Sequence, residues 1–146
     1  MELLQQTWLF ADLEDAEALA IEDLGDELQI KGPDVLIEAG TPCGFLFIVV
    51  DGLLSLSVPR GLNFMDPVGR LEAGSLYGEL CWMEKSASPL QLKCLGPSTV
   101  LRISFEKLDA FLANLPDLER RILRRLARQL AQQVRRHQWI PGAPHA

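Results

Sequence analysis

The stretch Leu71 to Cys94, LEAGSLYGELCWMEKSASPLQLKC, sets a glycine-led turn and an acid between two apolar, strand-like runs. Its centre is Gly78-Glu79-Leu80. A glycine there lets the backbone take positive φ or approach a ligand closely, and the residues after it can open a short helix whose free N–H groups, around Leu80 to Met83, face an anion. Glu79, flanked by Leu76-Tyr77 and Leu80-Cys81-Trp82, is costly to bury unless it accepts hydrogen bonds from the protein or from a bound hydroxyl. Two readings stay open on these residues alone: a turn with a structural carboxylate, or a ligand loop.

Upstream stand Gly40-Thr41-Pro42, the apolar run Leu46-Phe47-Ile48-Val49-Val50 and the turn Asp51-Gly52; downstream stands Val100-Leu101-Arg102-Ile103. Taken in this order with Tyr77-Gly78-Glu79-Leu80, these segments resemble the cyclic nucleotide-binding domains of the catabolite-activator and kinase-regulatory type, over nearly the whole chain. The resemblance implies a β-roll with a phosphate-binding cassette at Tyr77, Gly78, Glu79, Leu80, Cys81, Ser88 and Pro89, in which Glu79 holds a ribose hydroxyl. The likeness fails further along the cassette. The family continues to an arginine that pairs with the cyclic phosphate; laid on without gaps it falls on Ser88, followed by Pro89, Leu90 and Gln91, and a slide of two puts Leu90 there. No arginine lies between Arg70 and Arg102, and the nearby Lys85 and Lys93 lack the bidentate fork. A charge-assisted bond contributes about 1.5–3 kcal/mol, so its loss weakens binding by one to two orders of magnitude. No cofactor is therefore expected, with cyclic AMP or cyclic GMP as the ligands to test.

At 146 residues, 48% apolar and 23% charged, the chain suits one globular domain. The N-terminus lacks a basic region and meets Asp12, Glu14 and Asp15 at once, so it does not read as a secretory signal, and Phe45 to Val50 is far too short to cross a bilayer. A cytoplasmic location with no membrane partner is expected. Cys43, Cys81 and Cys94 contain no Cys-x-x-Cys pair and read as reduced thiols. The net charge of −6 is unevenly spread: eleven acids against Lys31 alone up to Glu38, and seven arginines against Asp117 and Glu119 from Asp117 to Gln138. Each run reads as a solvated helix face, or as one half of a contact between the two, within the chain or between copies in an oligomer.

Periodicity predicts a mainly β protein with helices (α+β): a jelly-roll-like β-barrel flanked by N-terminal helices and a long C-terminal helix. Within one domain spanning 1–146, residues 1–27 are expected as helices, 28–103 as the roll, 104–138 as C-terminal helices and 139–146 as a flexible tail. Leu9, Leu13, Ala16, Leu19, Ala20 and Leu24 recur at helical spacing and predict one or two amphipathic helices ending near Gly25. The pairs Asp51-Gly52 and Asp66-Pro67 read as turns between strands. Ser104 is placed to cap a helix that Pro116 ends. The helix from about Asp117 to Gln138 carries a stripe whose Leu123, Leu126, Leu130 and Val134 suit a partner helix or the protein's own barrel; in the resembling regulators this helix dimerises.

Enzyme chemistry finds little support. Both histidines, His137 and His145, lie at the C-terminal end, which removes the usual base and the ligands of a metal-dependent jelly-roll enzyme, so no catalytic and no metal residues are expected. Nucleic-acid binding by the seven arginines is disfavoured by the acidic balance, by the lack of interleaved aromatics and by the absence of a helix-turn-helix segment. Trp82 reads as core or as a pocket filler, and Trp139 as a possible cover for a base. The sequence thus points to a regulatory module of signal transduction, probing a protein partner or itself through the C-terminal helix. The alternative is a sensor of a cyclic nucleotide or another anion at Gly78-Glu79.

Overall fold

Strand β3 (Phe45–Asp51) explains the layering of the protein: Leu46 and Ile48 on one face, and Phe47 and Val49 on the other, are all at most 5% exposed. A strand buried on both faces reads as a continuous apolar run. The computed structural model describes residues 3–136, and the chain divides into two units, residues 1–110 and residues from 111 onward.

The first unit holds eight strands, all paired antiparallel, in two sheets of four. One sheet orders β1 (Asp26–Ile30), β8 (Ser98–Ser104), β3 and β6 (Leu76–Tyr77). The other orders β2 (Val35–Ile37), β7 (Gln91–Cys94), β4 (Leu54–Pro59) and β5 (Met65–Leu71). Between them Phe47, Val49 and Val100 from the first sheet pack with Ile37, Leu54, Leu92 and Cys94 from the second. This is the expected jelly-roll-like core of an α+β fold.

Two expectations need correction. The N-terminal region forms a 3-10 turn (Leu4–Gln6) and a single α-helix, α1 (Asp15–Glu22), whose buried residues are Ala18 and Ile21, while Leu19 is 47% exposed. The reason is a capping box: Glu14 and Glu17 bond each other's backbone and fix the helix start, so a stripe phased from Leu9 does not carry into it. Asp66-Pro67 is not a turn but lies inside β5, at the edge of its sheet, where a missing N–H costs no ladder bond; the register slips between Leu56 and Ser57 at this point. Pro116, expected to separate two helices, is the first residue of the second, one residue before its expected start near Asp117, since a helix start has no use for its N–H.

Short helix α2 (Glu79–Glu84) follows β6, and α3 (Phe105–Leu112) follows β8, with Ser104 Oγ accepting the Lys107 N–H at 3.3 Å. In the second unit α4 runs from Pro116 to Arg136. Leu118, Ile122 and Leu126 are buried. His137, Trp139, His145 and the expected tail lie outside the described residues. Among those described, no helix is long and apolar enough to cross a membrane, and no three His, Cys, Asp or Glu side chains gather as a metal site.

Candidate ligand site

The site is built where β6 passes into α2. Gly78 has φ +111°, and a Cβ there would stand 2.7 Å from the Phe45 carbonyl oxygen, so only glycine lets the loop lie against β3. The next residue, Glu79, opens α2 with one carboxylate oxygen, Oε2, sealed from water and without a hydrogen-bond partner. Burial pushes its carboxyl above the ordinary carboxylate range, offset in part by the backbone N–H groups of Glu79 and Gly78. The N–H groups of Gly78 and Glu79, at the start of this six-residue helix, therefore meet the protein's own acid.

A pocket of about 90 Å³ lies over this loop, lined by Tyr77 to Cys81 with Pro89 and Leu90. Small-molecule sites usually enclose roughly 300–1,000 Å³, so the space suits a fragment more than a nucleotide. Among the described residues, no lysine or arginine lines it. Six of the seven site residues read from the sequence meet here; Leu90 joins them and Ser88 does not.

Ser88 is 0% exposed. Its hydroxyl donates to the Leu90 carbonyl at 2.7 Å, and because it has one proton, the 2.6 Å contact with Tyr77 must have the phenol as donor. The backbone is held as firmly: Ser88 N–H donates to Thr41 O at 2.9 Å, Ser88 O accepts from Gly40 N–H at 2.7 Å, and Pro42 bridges Ala87. The position on which the family's arginine falls is thus knitted into the β2–β3 loop.

The nearby cations are directed elsewhere. Lys85 Nζ sits 2.7 Å from Asp109 Oδ2 and 5.9 Å from the centre of the Phe105 ring. Lys93 lies in β7 opposite Val35 and Ser55. Arg102 points along the inter-sheet face of β8, with its guanidinium 4.5 Å from the Phe45 ring centre and 3.8 Å from Asp26. Trp82 is 4% exposed, and its indole N–H donates to Asp109 Oδ1 at 2.8 Å. Asp109 was not read from the sequence as part of this region, and a lone acid in a predicted helix gives no local signal for that role.

A second crevice, of about 240 Å³, opens between β2 and β3, with Ile37, Thr41, Cys43 and Phe45 in its wall. On α4, the residues read as an interface divide. Leu126 is 1% exposed and Leu123 is half-buried, whereas Leu130 and Val134 are 37% and 38% exposed.

The sequence matches the cyclic nucleotide-binding domain over residues 27–114. No curated protein matches it in sequence. Its fold is similar to the N-terminal domain of a transcriptional regulator from Streptomyces coelicolor A3(2), with TM-score 0.83 and 22% identity over 91% of this chain and 95% of that one. The catabolite activator protein of Thermus thermophilus aligns with TM-score 0.77 and 18% identity over 90% of this chain and 60% of its own. A mutant regulatory subunit of a cAMP-independent protein kinase A from Trypanosoma brucei, bound to cAMP in its A site, aligns with TM-score 0.68 and 17% identity over 82% and 44%. This chain therefore spans 60% and 44% of the two longer regulators. The strand order, the Gly78 turn and the match over more than half the sequence agree, and the chain belongs to the cyclic nucleotide-binding domain family.

Proposed function

We propose that this chain is a regulatory module and not an enzyme, whose cassette no longer takes cyclic nucleotide in the usual way and which acts through contacts with a protein partner or a second copy of itself. The observation that carries this reading is Ser88, buried and bonded to Tyr77 and Leu90 where the family's arginine would face a phosphate. The size of the pocket and its lack of a lining cation support it. Among the similar proteins, the trypanosome regulator is by its name cAMP-independent, and the form bound to cAMP is a mutant whose substitutions include a new arginine. The contact surface in this proposal is the open part of the α4 stripe, Leu130 and Val134, flanked by Arg135 and Arg136.

Two measurements test the proposal. Calorimetric titration with cyclic AMP and cyclic GMP at millimolar concentration should give no saturable heat. Sedimentation of the wild type beside Leu130→Asp should show an oligomer that the variant loses if the partner is a second copy. Leu126 is a poor choice for that test, because it is already buried within the chain. The sensor reading is favoured by the unpartnered Oε2 of Glu79, which a ligand hydroxyl could satisfy. Saturable nucleotide binding that Glu79→Ala abolishes would put that reading first.

A further inference from the structure

Cys43, in the loop leading into β3, and Cys81, in the first turn of α2, come from distant parts of the sequence and flank the same glycine. Cys81 lies in the first turn of the helix that Gly78 caps, and a Cβ on Gly78 would meet the Cys43 sulfur at 3.7 Å. The Cys43 thiol is near enough to Cys81 to oppose its ionisation. Each also has a carbonyl to receive its proton: Phe45 O for Cys43 at 3.3 Å, and Ala87 O for Cys81 at 3.9 Å. The segment before Cys43 and the segment after α2 are held together by the Pro42–Ala87 bridge and the paired bonds of Gly40 and Thr41 with Ser88.

The two sulfurs differ in access. Cys43 is half-buried and lines the larger crevice, so a solvent-borne reagent can reach it. Cys81 is 3% exposed. Burial, and then the neighbouring Cys43 thiol, pushes its pKa up to about 11, so it stays protonated at neutral pH and is suited to a second step and not to a first attack. Cys94 is fully buried in the core between the sheets.

We propose that Cys43 and Cys81 are a redox modification site that forms a reversible intramolecular disulfide with hydroperoxides, tying the β2–β3 loop to α2. The Cys43 thiol gives its proton to solvent, and the thiolate attacks the peroxide O–O bond, taking the hydroxyl oxygen to become a sulfenic acid; the alkoxide that leaves, or hydroxide from hydrogen peroxide, takes up that proton as an alcohol or water. The Cys81 sulfur then attacks the sulfenic sulfur; the S–O bond breaks, the S–S bond forms, and hydroxide leaves with the Cys81 proton as water. In total two thiols and one hydroperoxide give a disulfide, an alcohol and water, with two electrons passing to the peroxide. The tie would sit one residue from Trp82, whose indole is bonded to Asp109 on α3. It does not depend on whether a nucleotide binds.

The test is oxidation of the whole folded chain with hydrogen peroxide, followed by alkylation, trypsin digestion and mass spectrometry. Trypsin puts the three cysteines on separate peptides, Gly32–Arg60, Leu71–Lys85 and Cys94–Arg102, so the linkage can be read directly. The expected product joins the first two, has lost about 2 Da, and returns to free thiols with dithiothreitol. Cys43→Ser should abolish it and Cys94→Ser should leave it intact. A wild-type map in which Cys94 is the linked residue, in which chains are joined only to each other, or in which Cys43 is over-oxidised while Cys81 remains alkylatable would overturn the proposal. Because that map is read on the wild type, a variant that fails to fold does not blunt it.

Discussion

The indole N–H of Trp82 donates to the Asp109 carboxylate at 2.8 Å, joining α2 to α3, while the other carboxylate oxygen takes Lys85 Nζ at 2.7 Å. Burial tends to raise the Asp109 carboxyl, but the hydrogen bonds from Lys85 and Trp82 and the lysine charge outweigh it and hold it below the ordinary carboxylate value. A depressed acid contributes stability that is present above its unfolded pKa and is lost as pH falls through the folded one. Asp109→Ala leaves a buried indole N–H unpaired and is expected to cost about 1–3 kcal/mol in urea unfolding. Lys85→Ala removes an exposed pair and should cost under ~1 kcal/mol. The reverse ranking would show that the lysine, and not the indole, is what the carboxylate serves.

Gly78→Ala isolates the close approach of the loop to β3. Gly61 has a positive φ of +77° with nothing within 4 Å of an added Cβ, whereas at Gly78 the Phe45 carbonyl stands 2.7 Å away. Both substitutions carry backbone strain, of order 1–3 kcal/mol. Only Gly78→Ala must also move β3 or α2. Thermal or urea unfolding should therefore show a clearly larger loss at Gly78; equal losses would mean that the loop can withdraw from β3 without cost.

The relation of sequence to structure differs from element to element. Gly78, Glu79 and the β3 run were legible because each breaks a local rule in a way that only a turn against a doubly buried strand explains. The α1 stripe was misread because the Glu14–Glu17 box resets the helical phase, a signal carried by two acids among many. Strand β5 was hidden by Pro67, which reads as a breaker unless the strand is known to be an edge. At the site, Ser88 was located, but its bond to Tyr77 depends on how the loop folds back onto Thr41. The meeting of Cys43 with Cys81 was beyond reach, since no periodicity relates a loop before one strand to a helix after another.

Glu79→Gln should remove a pH dependence. The folded carboxyl is raised, so the native state binds its proton more tightly than the unfolded chain does. Stability from this group is full below the ordinary glutamate pKa and is lost as pH rises through the elevated one. Wild type and Glu79→Gln, compared by urea unfolding from pH 4 upward in steps of about one unit, should diverge with the variant relatively more stable at neutral pH. Parallel curves would place the charge in a better-solvated setting than its sealed Oε2 indicates.

Pro89 is the position at which to ask whether an arginine alone restores phosphate binding. It is exposed and lines the pocket, whereas Ser88→Arg would have to break the Tyr77 and Leu90 bonds of a fully buried residue before gaining anything. Pro89→Arg adds a bidentate donor and is expected to raise affinity for cyclic AMP over wild type by roughly one to two orders of magnitude, read by titration calorimetry. Pro89→Lys should gain less, because an ammonium offers a point charge without the fork. Removing the proline also frees a backbone N–H and loosens the loop, so Pro89→Ala separates the two causes. If alanine raises affinity as much as arginine, the limit on binding is the stiffness of the Ser88–Leu90 turn and not the missing cation; if only arginine and lysine gain, the charge is what the pocket lacks.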